Sequence, residues 1–171
     1  MIDKKMEDTI NTQINKEMFS AYLYYSMAAY CDSISLGGFA HWLRAQALEE
    51  FVHAQKFVAY LADRGGQVLL QKIDAPRTEW DSIEDLVAQV LEHEIDVTDL
   101  INELMDLAMS IRDHASVGFL QWFVTEQVEE VASADELVQK VKLVHKTDGG
   151  IFMLDQEMAK RPLPIPPEFT A

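Results

Sequence analysis

The chain has 171 residues, enough for one domain with a sizeable core, and 49% of them are hydrophobic. Twenty-nine acidic against fourteen basic residues give a formal net charge of −15, which excludes nucleic-acid binding through a basic surface and leaves solubility or attraction of cations. One cysteine, Cys31, excludes an intrachain disulfide and a thiolate metal site and agrees with the cytoplasm, while the first residues lack the apolar stretch of a signal peptide and no apolar run of about 18 residues predicts a membrane span.

The periodicity predicts an all-α chain with four long helices and one short one, in a single domain over 1–171. The first helix is expected over about 4–32, with a core stripe of Ile10, Ile14, Glu17, Ala21, Tyr24 and Ala28. Ser33 to Gly38 reads as a turn. A second helix over about 39–63 carries Leu43, Ala47, Glu50, Ala54, Phe57 and Leu61, and Gly65-Gly66 ends it. The stretch from Gln67 to about Trp80 holds Pro76 and is long enough to run the height of a bundle in extended form, so the second and third helices can be parallel. The third helix is expected over about 81–110, capped near Ser82. Its stripe is Ile83, Val87, Val90, Glu94, Val97, Ile101, Leu104 and Ala108. The fourth, over about 113–144, has Leu120, Phe123, Gln127, Glu130, Ala134, Leu137 and Val141. Lys146 to Gly150 breaks it. A short fifth helix over about 151–159 either folds back on the bundle or packs against copies of itself, and the tail Arg161–Pro167 is expected to be extended.

Each long stripe is apolar except near its middle, where Glu17, Glu50, Glu94 and Glu130 stand. Burying one carboxylate unpaired costs several kcal/mol, roughly. Four of them at one height call for positive charge between them. Glu50 and His53 form Glu-x-x-His, which stacks a carboxylate and an imidazole on one helix face. Such a donor set suits iron or zinc, and bridging carboxylates suit a pair of metals, with Glu50 as the natural bridge. Glu49, Glu126 and Glu129 lie one position off the stripes and read either as a second cation cluster or as a solvated face. Tyr24, two turns beyond Glu17, reads as a hydrogen-bond partner or electron donor, or as a buried tyrosine with its hydroxyl satisfied. Trp122 supports a similar, weaker reading. His41, His93, His114 and His145 read as surface or core-edge residues.

The segments Glu17-Met-Phe-Ser-Ala-Tyr-Leu-Tyr24-Tyr, Ala47-Leu-Glu-Glu50-Phe-Val-His53-Ala, His93-Glu94 and Phe123-Val-Thr-Glu126-Gln127-Val-Glu-Glu130 together resemble the non-haem bacterial ferritins over essentially the whole chain. The resemblance implies a ferritin-like four-helix bundle with a long crossover between helices two and three and a short C-terminal fifth helix. It implies a first iron held by Glu17, Glu50 and His53. A second would be held by Glu50, Glu94 and Glu130, with Gln127 beside it. A third would lie at Glu49, Glu126, Glu129 and Glu130. Tyr24 matches the tyrosine beside the di-iron centre. The resemblance further implies oxidation of Fe(II) by O2 or peroxide, and storage of ferric oxide-hydroxide in a hollow 24-subunit shell.

Bacterioferritins and rubrerythrins carry a second Glu-x-x-His in the last long helix, where this chain has Gln127-Val-Glu-Glu130. Val52 stands where a bacterioferritin offers a haem-ligating methionine, so no haem is expected. Mini-ferritins that coat DNA lack the fifth helix and fit poorly. Two other classes explain less. A di-iron enzyme acting on an organic substrate would need a substrate-binding part that the chain does not show. A helical binding protein without metal chemistry would leave four core acids unexplained.

Overall fold

A computed structural model describes residues 2–144 and 146–164. Five helices follow in order: α1 (Lys4–Ser33), α2 (Gly37–Asp63), α3 (Ile83–Ser110), α4 (His114–Val144) and α5 (Gly150–Met158). None is long and apolar enough to cross a membrane. The expected elements are all present. α2 begins two residues earlier than the sequence predicts, because Gly37 and Gly38 continue into the helix rather than the turn. The reversal is carried instead by Ser35, whose φ of 63° is left-handed. Gly65, with φ of 71°, follows the end of α2 as expected. Ser82 caps α3, its Oγ accepting from the Asp85 amide at 3.2 Å.

The core falls into two apolar blocks that establish the topology. One gathers Leu23 to Cys31 of α1, Phe39 to Ala47 of α2, Ile83 to Val90 of α3 and Ala134 to Val141 of α4. The other gathers Met6 to Ile14 of α1, Phe57 and Leu61 of α2, Val97 to Ala108 of α3, and Leu120 and Phe123 of α4. Hence α1 runs opposite to α2, α3 opposite to α4, and α2 parallel to α3. Every stripe position is buried except Ala21, which is half-buried.

A parallel α2 and α3 require a connection the full height of the bundle. Residues 64–82 supply it, running alongside α1. Asn11 Nδ2 donates to the Gln67 carbonyl at 2.9 Å and Asn11 Oδ1 accepts from the Leu69 amide at 2.7 Å. Farther up, Ser26 Oγ donates to the Arg77 carbonyl at 2.7 Å, and the Tyr30 hydroxyl to the Trp80 carbonyl at 2.8 Å. Among the described residues this segment pairs in no sheet, and α1 side chains meet part of its backbone hydrogen bonding.

α5 folds back onto α2 and α4. Leu154 and Met158 enter the upper apolar block, while Phe152 and Met153 stay outside it at 66% and 74% exposure. Asp155 Oδ1 accepts from the Gly38 and Phe39 amides at 2.8 and 3.0 Å, capping the start of α2 from the far end of the sequence. Residues 161–164 of the expected extended tail follow α5 with no helix or turn among them. The tail's Ile165–Pro167 part, like His145, lies outside the described residues.

Candidate metal centre

Glu17, Glu50, His53, Glu94 and Glu130 are all buried, and they lie between the two apolar blocks. Each comes from mid-helix, where the antiparallel and parallel pairings bring positions to one height. Glu17, Glu50 and His53 each offer a ligand atom within 4.8 Å of the others, the one such acid–imidazole group among the described residues. His53 Nδ1 stands 3.4 Å from Glu50 Oε2. That oxygen and Glu17 Oε2 are buried without a hydrogen bond among the described residues. Unsatisfied buried carboxylate oxygens pointing into one layer are the arrangement a hard cation completes.

The electrostatics agree. Burial, then the charge of Glu50, pushes the Glu17 carboxyl up to about 8. Burial, then the charge of Glu94, drives Glu50 well above the carboxylate range. Burial also pushes Glu94 up to about 7, against the Tyr24 hydrogen bond that favours its ionised form. Tyr24 donates its hydroxyl to Glu94 Oε1, and its own ionisation is driven well above the phenol range by burial and by Glu94. The carboxyls therefore share protons in the absence of a cation and release them to one.

Neutral amides orient the acids. Gln127 Nε2 lies 3.4 Å from Glu94 Oε2, and also reaches the Glu94 carbonyl and Thr98 Oγ1, both at 3.3 Å. Gln13 Nε2 donates to Glu17 Oε1 at 2.8 Å, and Gln46 Nε2 to Glu130 Oε2 at 3.0 Å. Sequence reasoning missed Gln13 and Gln46. The signal was their place one turn before Glu17 and Glu50 on the buried faces. His93, expected at the surface or core edge, is half-buried at that edge. His93 pairs with Ser20 Oγ at 2.8 Å and sets its ring edge-on to Tyr24, and burial pulls its pKa down to about 4, leaving it neutral.

The second acidic group is looser. Glu49, Glu126, Glu129 and Glu130 form no such close ligand group among the described residues. Glu126 is half-buried near Lys56, Glu129 is exposed, and Glu49 is half-buried and bound by Arg161. Trp122, 39% exposed, lies edge-on to His53 at 5.4 Å between centroids, and Lys56 Nζ sits 2.9 Å above its ring.

A family model described as a ferritin-like domain matches residues 7–144. A bacterial non-haem ferritin of Bacteroides fragilis is 40% identical over 161 residues, covering 94% of this chain and all of the relative. Another, from Campylobacter jejuni, is 38% identical over 156 residues, covering 91% and 93%. Among solved structures, an open-pore ferritin from the archaeon Archaeoglobus fulgidus superposes with a TM-score of 0.93 at 46% identity, covering 95% of this chain and all of that one. The matched region contains the four buried glutamates and His53, and with it the chain belongs to the ferritin family.

Proposed function

We propose that the protein is an iron-storage ferroxidase of the cytoplasm. Fe(II) is its substrate. Glu17, Glu50 and His53 bind one ion, and Glu50, Glu94 and Glu130 bind a second, so that Glu50 bridges both. The observation that carries this reading is the pair of unsatisfied oxygens on Glu17 and Glu50 beside His53 in a buried polar layer. Anionic ligands favour Fe(III) over Fe(II), because negative charge stabilises the higher cation more. Two Fe(II) supply two electrons, enough to take O2 with two protons to hydrogen peroxide. Glu17 and Glu94 give up their protons as the cations bind, and the two protons taken up with O2 come from water. Tyr24 and Gln127 keep Glu94 in place through the charge change.

Glu49, Glu126, Glu129 and Glu130 form a third site on the way from this centre to the store. The oxidised iron is kept as ferric oxide-hydroxide inside a hollow homo-oligomer of 24 subunits, in line with the resemblance of the whole chain to ferritins. Hydrogen peroxide serves as an alternative oxidant.

Stopped-flow oxidation of Fe(II) by the Glu50→Ala protein tests the assignment. The variant removes a buried acid whose charged form burial disfavours, so it is expected to fold. Its initial rate drops by about two orders of magnitude or more, because both irons lose a ligand. Rapid oxidation at the normal rate would contradict the site.

A further inference from the structure

The C-terminal segment places a cation on Glu49. α5 is fixed to the bundle by Leu154, Met158 and the Asp155 cap. The chain then turns, with the Lys160 amide donating to the Glu157 carbonyl at 3.0 Å and the Arg161 amide to Met158 at 3.3 Å. The Arg161 carbonyl accepts from His41 Nε2 at 2.7 Å. Pro162 restrains the backbone that follows. These contacts direct the Arg161 side chain along α2. Its guanidinium carbon lies 4.6 Å from the centroid of the Trp42 ring, and its Nη2 donates to Glu49 Oε2. Trp42 and Glu49 are seven residues apart, so they share a face of α2 and Arg161 spans two turns of it.

We propose that Arg161 is the resident cation of the third iron site: it occupies Glu49 until a divalent metal displaces it, and displacement undocks the segment after α5. The proposal rests on the reading of Glu49, Glu126, Glu129 and Glu130 as an iron site. A guanidinium on Glu49 neutralises the acid and repels a second positive charge brought to it, so the two cations compete. The competition is winnable. Arg161 Nη1 is buried with no hydrogen-bond partner among the described residues, so the guanidinium is held by one nitrogen on the acid and by stacking on Trp42, short of a two-pronged pair. The two central irons meet no such competitor. The third site therefore fills last, and the free tail reports that it has filled.

Equilibrium dialysis with Co2+, which O2 leaves unoxidised here, tests this on the full assembled protein. Wild type, Arg161→Ala, Glu49→Ala and the double variant are compared, with particle size and helicity checked for each. Arg161→Ala is expected to bind its third Co2+ roughly tenfold tighter than wild type, the scale of losing one charge-assisted hydrogen bond. The gain vanishes when Glu49 is also removed. Three Co2+ per chain with the same affinities in wild type and Arg161→Ala would overturn the competition while leaving the third site intact. Only two Co2+ in wild type and in Arg161→Ala would overturn the third site, and the competition with it. Trypsin cleavage after Lys160 supplies a readout independent of affinity. It is expected to accelerate in wild type only beyond two Co2+ per chain, and an unchanged rate would overturn the undocking.

Discussion

Glu17 and Glu94 hold protons that a metal ion must displace. Their carboxyls stand at about 8 and about 7, against an ordinary value of 4.5 in the unfolded chain. Between about 4.5 and about 8 the folded chain binds more protons than the unfolded one, so this contribution to stability falls as pH rises through that window. Metal-free protein is expected to melt at a lower temperature at pH 8 than at pH 6, and Glu17→Gln to flatten that slope. Thermal unfolding in chelator checks both. Co2+ binding is expected to release protons and to weaken as pH drops from 8 to 6, read by calorimetry in buffers of different ionisation enthalpy. The buried acids were legible in the sequence because a glutamate on an apolar stripe breaks the pattern. Gln13 and Gln46 were missed, since only their place one turn before Glu17 and Glu50 marks them and an uncharged amide breaks an apolar stripe less than a charge does. Arg161 was hidden for another reason: its partner is 112 positions away, and no local spacing encodes such a contact.

The helix ends bear on how firmly the site is framed. Gly38 reads as a breaker, yet it lies within α2 because nothing larger fits. A Cβ there would stand 1.7 Å from the Asp155 carbonyl oxygen. Gly38→Ala must push α5 off the bundle, at a cost of about 1–3 kcal/mol. Asp155→Ala keeps the close approach but leaves two amides of the α2 N-terminus uncapped, for roughly 1 kcal/mol. Denaturant unfolding of the two variants checks the order, with Gly38→Ala the weaker protein. Unchanged stability in Gly38→Ala would mean that α5 is not docked as described. Helix identity was readable from the 3.6-residue pattern. The position of α5 was not, because its small apolar face could equally serve the bundle or a neighbouring copy. The crossover was legible only as a length. That it follows α1 depends on Asn11, Ser26 and Tyr30, polar side chains that satisfy backbone groups no periodicity reveals.

Across the whole molecule, two dry blocks sandwich one polar layer. The blocks supply stability, and the layer spends some of it holding acids out of water. Metal binding returns that cost, so divalent metal is expected to raise the melting temperature of wild type by several degrees or more, and that of Glu50→Ala by much less. Differential scanning calorimetry with and without Co2+ checks this. A single bundle of this size has room for a few ions in its polar layer and none for a mineral. Storage is therefore a property of an assembly, and the central claim is tested most directly by loading. Fe(II) is added aerobically in large excess, the dissolved protein is sized, and iron is counted per chain. The account predicts a very large particle co-eluting with many more irons per chain than its glutamates and His53 can ligate. A small oligomer saturating at the two or three irons of its own ligand sets would contradict it.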